Sequence, residues 1–259
     1  MSNNPFFTVI TASFNSGSTI KQTLKSIKNQ TFKNLEHFVI DGGSNDGTVK
    51  ILKEMEHSYN ISWLSEPDCG IADALNKGLR KAKGRYIIVI QADDCLLNAN
   101  SLEKAYSLLK HEKVDILSLP VIYNHPIKGK RLIKPIKLLW WNHLKHIFHH
   151  QGCFVHKRVF DKIGEFRKEF KINMDYDFFF RALACKSSVH FGKFPVVLMG
   201  GSGISSVFAY KRIKEERLVQ TQNERNPGWR AVQFIFRLLY LPYKKYLLSP
   251  NHSLKSTIK

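Results

Sequence analysis

The chain lacks the features that define several large classes of protein. Its four cysteines are scattered and form no Cys-x-x-Cys pair, so neither a zinc site nor a disulfide framework is expected. No apolar run reaches about 18 residues, so no spanning helix is predicted. The N-terminus has no basic segment followed by an apolar one, so no signal peptide is predicted. We therefore expect a protein of the reducing cytosol.

Acidic residues are also few. The 259 residues include 40 Lys and Arg but only 21 Asp and Glu, which gives a formal net charge of +19. Such a basic excess favours anionic partners, namely nucleic acid, nucleotide phosphates or an acidic membrane surface. The hydrophobic content of 43% is sufficient for one core with a small appendage.

Short apolar runs alternate with amphipathic segments through the first 115 residues. The strand-like runs are FFTVITA, HFVID, ISWLSEP and YIIVIQ, and a segment of helical periodicity follows each of them. This alternation predicts a parallel α/β sheet flanked by helices. Beyond it, DILSLPVIY and HFGKFPVVLMG are each predicted as one strand, and VFDKIGEF and NMDYDFFFRALA as helices.

Polar residues stand where the predicted strands end. They are Ser13, Asn15, Asp41, Glu66, Asp68, Asp93 and Asp94. Because ligands of open α/β sheets bind beyond the carboxyl ends of the strands, we expect these residues at one edge. In so basic a chain, the adjacent carboxylates Asp93 and Asp94 indicate Mg²⁺ or Mn²⁺, with a diphosphate supplying further oxygens. A solvated turn is the alternative for this pair taken alone.

Five motifs together resemble the family 2 glycosyltransferases of the GT-A fold, particularly their bacterial polysaccharide branch. In order over about residues 6–206, they are TVITASFN, VIDGGSNDGT, EPDCGIADALNKGLRKAKGRYIIVIQADD, HHQGCFVHKRVF and NMDYDFFFRA. The resemblance implies an α/β GT-A (Rossmann-like), mostly parallel sheet flanked by helices. It also implies a nucleotide-sugar donor, a divalent metal (Mn²⁺ or Mg²⁺) and inversion at the anomeric carbon.

The resemblance further implies a donor site. The residues that it places against the nucleotide and donor are Thr11, Ala12, Ser13, Asn15, Asp41, Asp68, Asp73, Asn76 and Asp93. Among them, Asp41 corresponds to the acid that contacts the base, typically uracil. Asp93 and Asp94 correspond to the metal motif, written Asp-x-Asp in many relatives. Here Gln91 takes the place of the first acid, so which aspartate binds the metal stays open.

Asp175 corresponds to the general base of the family. Its neighbour is Met174, where many relatives have a second acid. Asp177 could compete for the role, but on a helix it would face another side and pair with Arg181, four residues on. We therefore predict a structural role for Asp177.

The chain also carries an adjacent histidine pair. The resemblance places His150 and Gln151 on the acceptor side, and surface histidines are the alternative. Metal ligation by both His149 and His150 is disfavoured, because adjacent residues rarely face one ion.

The turn GGSGIS (200–205) resembles a mobile glycine loop whose N–H groups could meet the diphosphate, and a plain loop is the alternative.

The last fifty residues are basic and partly amphipathic. Between Trp229 and Leu248, Arg230, Arg237 and Lys244 recur every seven residues, which predicts an in-plane membrane helix with one cationic face, kinked or split at Pro242. Packing on the catalytic domain is the alternative. The predicted domains are a catalytic domain at 1–206, with a nucleotide half at about 1–115 and an acceptor half at about 116–206, and a basic extension at 207–259.

The predicted function is inverting transfer from a UDP-hexose or UDP-N-acetylhexosamine to a saccharide. We expect an undecaprenyl-diphosphate-linked acceptor, a role in cell-surface polysaccharide biosynthesis, and a cytoplasmic enzyme bound to the anionic inner leaflet. The first alternative is a sugar-1-phosphate nucleotidyltransferase, but ITASFNSGST lacks the arginine of its phosphate loop. The second is a nucleic-acid-binding protein. No recognition motif for DNA or RNA is present, so no nucleic-acid partner is expected.

Overall fold

A computed structural model of the chain describes residues 4–111, 113–125, 127, 129–201 and 209–247. The strands are β1 (Phe7–Ser13), β2 (Leu35–Asp41), β3 (Ile61–Ser65), β4 (Tyr86–Val89), β5 (Cys95–Leu96), β6 (Ile116–Ser118), β7 (Val121–His125), β8 (Gly129–Ile133), β9 (Cys153–His156), β10 (Val189–Phe191) and β11 (Val197–Met199). The helices are α1 (Ile20–Lys28), α2 (Thr48–Met55), α3 (Ile71–Lys81), α4 (Ser101–Leu109), α5 (Lys157–Ile163), α6 (Met174–Ala184), α7 (Ala209–Asn223) and α8 (Pro227–Leu247). Short 3₁₀ turns span Leu139–His143 and His150–Gly152.

The main sheet confirms the predicted α/β architecture. Its seven strands run in the order β10-β6-β9-β4-β1-β2-β3. The strands β3, β2, β1 and β4 are parallel neighbours, as the alternating pattern predicts. Strand β9 is antiparallel to both β4 and β6, so the sheet is mixed. The half built from the first 90 residues is therefore a regular parallel sheet, and its carboxyl ends meet at one edge.

A second sheet of four strands, in the order β5-β11-β7-β8, lies beside the first. It corrects two predictions. DILSLPVIY is not one strand, because it divides at Leu119 and Pro120 into β6 and β7, which belong to different sheets. Proline has no N–H for a strand ladder, so a break there is physically reasonable. HFGKFPVVLMG likewise divides into β10 and β11.

Helix α3 packs very closely on the parallel half of the sheet. A Cβ atom added at Gly78 would lie 2.6 Å from Cγ2 of Ile10, so only glycine allows this approach. The same core cluster includes Leu75 from α3, Phe178 from α6 and Val219 from α7. Helix α7 is thus continuous with the main core, whereas the predicted domain boundary at residues 206 and 207 lies outside the described residues.

Helix α8 corrects two expectations for the C-terminal segment. It continues from Pro227 to Leu247, so Pro242 does not split it, while a kink at Pro242 stays a prediction. A proline removes only one bond of the helical ladder, and the helix extends on both sides. Arg237 does not lie on an open cationic face: it is half-buried, and its guanidinium donates to Oε1 of Gln220 on α7.

The carboxyl ends of β1, β2 and β3 are held level with one another. Ser13 pairs with Asp41, and Asp41 pairs with Ser65. The N–H of Gly42 donates to the carbonyl of Ser13 at 2.8 Å, and the N–H of Glu66 donates to the carbonyl of Asp41 at 3.0 Å. The polar strand ends therefore start from one rigid edge.

A buried polar chain lies beneath this edge. Oγ1 of Thr11 is 2.9 Å from Nε2 of His37, and Nδ1 of His37 is 2.7 Å from the hydroxyl of Tyr59. Burial lowers the pKa of His37 to about 3, from an ordinary value of 6.5. His37 is therefore neutral in the folded protein at pH values where it titrates in the unfolded chain.

This difference between the folded and unfolded pKa of His37 makes the stability of the protein depend on pH. Because the folded pKa of His37 lies below the unfolded one, its contribution is complete above pH 6.5 and is lost as the pH falls towards 3. Between pH 7.5 and 5, we expect the free energy of unfolding of the wild type to fall by about 2 kcal/mol more than that of His37→Gln. Urea denaturation at both pH values measures this, and equal losses in the two proteins would contradict the assignment.

Candidate active site

Asp41 organises the turn between β2 and α2. It is fully buried, and its carboxylate accepts from the N–H of Ser44 at 2.8 Å and from the hydroxyls of Ser44 and Ser65 at 2.5 and 2.7 Å. The N–H of Gly43, a residue with φ of 83°, adds a contact at 3.2 Å. The local backbone thus surrounds the carboxylate that the resemblance assigns to the base, and that assignment stays a prediction.

The end of β1 offers one unsatisfied polar group. Ser13 is buried, and its hydroxyl has no hydrogen-bond partner among the described residues. Since buried hydroxyls are normally bonded, a ligand at this edge would complete it. Asn15 follows in the left-handed region with φ of 49°, and its side-chain oxygen accepts from the N–H of Asn45 at 3.2 Å. Thr11 and Ala12 are buried, and the Thr11 hydroxyl is already engaged by His37.

Asp68 lies against the same turn. Its carboxylate accepts from the N–H of Gly70 at 2.7 Å. A Cβ atom added at Gly42 would lie 2.7 Å from the other carboxylate oxygen of Asp68, so a side chain there would require Asp68 to move. The structure therefore brings Asp68 next to the ends of β1 and β2.

Asp73 and Asn76 face a different segment. Oδ1 of Asp73 is 2.5 Å from Nζ of Lys168, and its other oxygen accepts from the N–H of Cys69 at 3.1 Å. Both polar atoms of the Asn76 amide bond the backbone of Phe166, at 2.8 and 3.0 Å. These two predicted donor residues fix the segment around 166–168, and direct donor contacts by their side chains stay predictions.

Asp93 and Asp94 follow β4 in different environments. Asp94 is buried, and its oxygens accept from the N–H of Gly200 at 2.9 Å and that of Gln91 at 3.2 Å. Burial raises the pKa of Asp94 to about 7, and the adjacent charge of Asp93 adds to the effect. Asp93 is only half-buried. Asp94 therefore joins the ends of β4 and β11, while Asp93 lies nearer the surface.

Gly200 is held between these carboxylates. A Cβ atom added there would lie 2.3 Å from Oδ2 of Asp93 and 2.8 Å from its carbonyl oxygen, so a side chain is excluded. Of the predicted glycine loop at 200–205, residues 202–205 lie outside the described residues. Over the described ranges, no cluster of three or more His, Cys, Asp or Glu could hold a metal ion.

Asp175 opens helix α6 beside the histidine-rich segment. Its Oδ2 lies 2.9 Å from Nδ1 of His150, and its Oδ1 accepts from the N–H of Tyr176 at 2.8 Å and lies 3.9 Å from Nδ1 of His146. Burial by itself would raise the pKa of Asp175, but electrostatic interaction with His146 and the hydrogen bond with His150 hold it well below its ordinary value. Asp175 is therefore an ionised carboxylate at neutral pH.

His150 connects this carboxylate to the metal motif. Its Nε2 lies 3.5 Å from the amide nitrogen of Gln91, the residue that replaces the first acid of that motif. Gln151 is buried beside it in the 3₁₀ turn. The structure thus brings together three parts of the sequence, around residues 91, 150 and 175.

A family model described as Glycosyl transferase family 2 matches residues 8–171. The chain belongs to this family. A relative named as an uncharacterized glycosyltransferase of Mycobacterium tuberculosis (strain ATCC 25618 / H37Rv) is 31% identical over 191 residues, which are 72% of each chain. The protein is therefore a glycosyltransferase, and this confirms the predicted class of enzyme over its two alternatives.

Solved structures confirm the GT-A type of fold. S. aureus TarS 1–349 in complex with UDP-GlcNAc is similar with a TM-score of 0.69 and 20% identity, covering 98% of this chain and 76% of that one. The mannosyltransferase PcManGT from Pyrobaculum calidifontis, in complex with GDP-Man and Mn²⁺, is similar with a TM-score of 0.66 and 17% identity, covering 98% of this chain and 84% of that one.

In this glycosyltransferase, Asp177 has the structural role that the helical spacing predicts. It is fully buried, and it accepts from Nε of Arg181 at 2.9 Å, from Nδ2 of Asn223 at 2.9 Å and from Arg167 at 3.2 Å. These bonds join α6 to α7 on the side away from His150. The pairing of His150 with Asp175 is not predictable from motif spacing, and its only signal in the sequence is the cluster of histidines at 143–150.

Removing the charge of Asp177 should destabilise the fold, because it leaves Arg181 without its buried partner. We expect Asp177→Asn to lose about 3 kcal/mol of unfolding free energy, the scale for breaking a buried ion pair. The matched control is Asp161→Asn on the exposed side of α5, which should change it by less than about 0.5 kcal/mol. Urea denaturation compares the two, and equal effects would contradict the structural role.

Proposed function

We propose that this glycosyltransferase moves a hexose or N-acetylhexosamine from its UDP-sugar to a hydroxyl of a saccharide, with inversion. The observation that carries the proposal is the junction of Asp175, His150 and Gln91, which sets an ionised carboxylate beside the metal motif. One base on the face opposite the leaving group implies inversion. The UDP-GlcNAc in TarS supports a UDP-sugar as donor.

The donor would lie along the carboxyl edge of β1 to β4. There it would meet the unsatisfied hydroxyl of Ser13, the backbone near Asn15 and the carboxylate of Asp68. The nucleoside diphosphate is the leaving group, so groups that neutralise its developing charge lower the barrier.

A divalent metal fits this edge. Mg²⁺ and Mn²⁺ usually take one or two protein carboxylates and complete their shell with water and substrate phosphates. Asp93 would bind it directly, because both oxygens of Asp94 are already used by Gly200 and Gln91. When bound, the metal supplies positive charge to the departing diphosphate. The Mn²⁺ in PcManGT supports this cofactor.

Calorimetry and UDP release test this function together. In Mn²⁺ the wild type should bind UDP more tightly than GDP or dTDP and should release UDP from a UDP-hexose or UDP-N-acetylhexosamine. Asp93→Asn should weaken binding in Mn²⁺ about tenfold or more, since it removes a charged ligand, but should change little in EDTA. Asp161→Asn is the control. Tighter binding of GDP or dTDP would exclude a UDP-sugar donor.

We further propose that the enzyme works on an anionic membrane surface, on an acceptor linked to undecaprenyl diphosphate, in the synthesis of a cell-surface polysaccharide. Helix α8 supports this because it carries apolar side chains on two sides. One face packs on the 3₁₀ turn: Trp229 stacks on His143 with ring centres 4.4 Å apart, and Phe236 lies 5.9 Å from Trp141. In the described part of the chain, no helix is long and apolar enough to cross a membrane.

The other face of α8 carries exposed apolar side chains. Between 56% and 71% of the surface is accessible at Phe234, Ile235, Leu238 and Leu239. Monomeric proteins rarely expose a contiguous apolar surface without a partner for it. Trp140, which stacks near Trp229, extends the apolar surface.

Basic residues accompany this surface and favour an anionic lipid. The segment that leads to Trp140 exposes four of them, namely Lys130, Arg131, Lys134 and Lys137. Each basic residue near an anionic leaflet contributes roughly 1 kcal/mol. An in-plane helix that inserts apolar side chains and is held by neighbouring cations matches the physics of peripheral membrane binding.

Flotation with anionic liposomes tests the surface on the full-length chain. The wild type should float at low salt, and the combined variant Phe234→Ser, Ile235→Ser, Leu238→Ser and Leu239→Ser should not. Leu218→Ser, on the exposed side of α7, is the control and should float like the wild type. If the combined variant floats fully, the basic stretch 119–150 is the anchor instead. If the wild type stays in solution, the membrane proposal is wrong.

A further inference from the structure

We propose that Glu215 of α7 is a positioning residue for Asp175, the proposed base of the transfer. The carboxylate of Glu215 holds the backbone from which helix α6 starts, and its last contact lies two residues before Asp175. The inference rests on the proposed function and deepens it. It makes a residue of the predicted C-terminal extension part of the apparatus that sets the position of the base.

Three consecutive backbone N–H groups donate to the side chain of Glu215. The nitrogen of Lys171 lies 3.2 Å from Oε1, and those of Ile172 and Asn173 lie 2.8 and 3.0 Å from Oε2. The side-chain amide of Asn173 also donates to the carbonyl of Arg212, one turn earlier on α7, at 2.7 Å. Helix α7 therefore holds the entry to α6 through both its backbone and a side chain.

Helix α6 does not cap itself. The first N–H groups of a helix have no partner within it, and the side chain of the N-cap residue usually accepts from them. The N-cap of α6 is Asn173, but its side chain makes no such bond and donates to α7 instead. The negative charge of Glu215 lies near the positive end of the α6 dipole, which is a favourable arrangement. The start of α6 therefore depends on α7 for its side-chain anchor.

The position of Asp175 follows directly from this anchor. Asp175 lies in the first turn of α6, and only Met174 separates it from the stretch that Glu215 binds. Its Oδ1 accepts from the N–H of Tyr176 at 2.8 Å, and its Oδ2 is 2.9 Å from Nδ1 of His150. A base must lie within hydrogen-bond reach of the proton that it removes, and a misplacement of about 1 Å can cost 10²-fold in rate. Loss of the anchor should therefore reduce turnover.

The donor side has anchors of its own. Nζ of Lys168 is 2.5 Å from Oδ1 of Asp73, and the amide of Asn76 bonds the backbone of Phe166. The resemblance assigns Asp73 and Asn76 to the donor site, and neither of these bonds involves Glu215. Removal of Glu215 should therefore affect turnover much more than the binding of UDP.

The activity test separates turnover from UDP binding. In Glu215→Ala, kcat for UDP release from a UDP-sugar should fall about tenfold or more, while the Kd for UDP should change less than about twofold. Glu215→Gln keeps one acceptor oxygen, so it should lose less. Val219→Ala is the control, because it opens a cavity in the buried core under the same helix but leaves the carboxylate in place. It should lower the stability and leave kcat unchanged.

Nitrogen NMR gives a readout that does not depend on activity. The Nδ1 resonance of His150, identified by its absence in His150→Gln, reports the bond to Asp175. It should move in Glu215→Ala and stay in place in Val219→Ala. If Glu215→Ala does not fold, Glu215→Gln carries both measurements.

Three results would overturn the proposal. They are near-normal kcat without the Glu215 carboxylate, a loss of kcat with an unmoved His150 resonance, and an equal loss of kcat in Val219→Ala. If the wild type releases UDP from no UDP-sugar, the proposed function fails instead. The His150 resonance then still decides whether Glu215 positions Asp175.

Discussion

The site depends on one constraint: the buried carboxylate of Asp94 accepts hydrogen bonds from backbone N–H groups. By bonding both Gln91 and Gly200, Asp94 joins the parallel sheet to the second sheet. Burial raises the pKa of Asp94, which means that burial disfavours the charged form of this carboxylate. The bonds of Asp94 fix the turn that contains Asp93, and they direct Gln91 towards His150. One aspartate of the pair thus organises the edge, and the other, Asp93, is the one proposed to bind the metal.

A similar division of labour occurs on α6. Asp177 is held by Arg181 within the helix and by Asn223 from α7, so the rotation of α6 about its axis is fixed. Asp175, two residues earlier, must then face the other way, towards His150. Paired carboxylates separated by two residues lie on different sides of a helix, so one can serve the fold and one the chemistry.

Much of this arrangement follows from local sequence. The strands β1 to β4 and helices α1 to α6 follow from apolar periodicity, and the Asp177–Arg181 pair follows from a spacing of four residues. What fails is the prediction of single strands across Pro120 and across 190–200, because the split depends on a second sheet that periodicity cannot indicate. The His150–Asp175 bond spans 25 residues and needs the tertiary fold. The family motif predicts that Asn76 lies in the donor site, but it does not indicate that the amide of Asn76 bonds the distant backbone of Phe166.

The C-terminal helix shows how packing changes the meaning of a sequence pattern. Basic residues at seven-residue intervals indicated a helix with one cationic face, but Arg237 lies against α7. Trp229 and Phe236, on the packed face, recur at the same interval because a helix repeats nearly every seven residues. The face that stays open is the apolar one around Leu238 and Leu239. Glu224, at the end of α7, bonds His143 in the segment that leads to His150. The helical C-terminal segment and the histidine cluster are therefore parts of one packed unit. A surface that holds α8 therefore also bears on the position of His150 and Gln151, which are predicted to line the acceptor side.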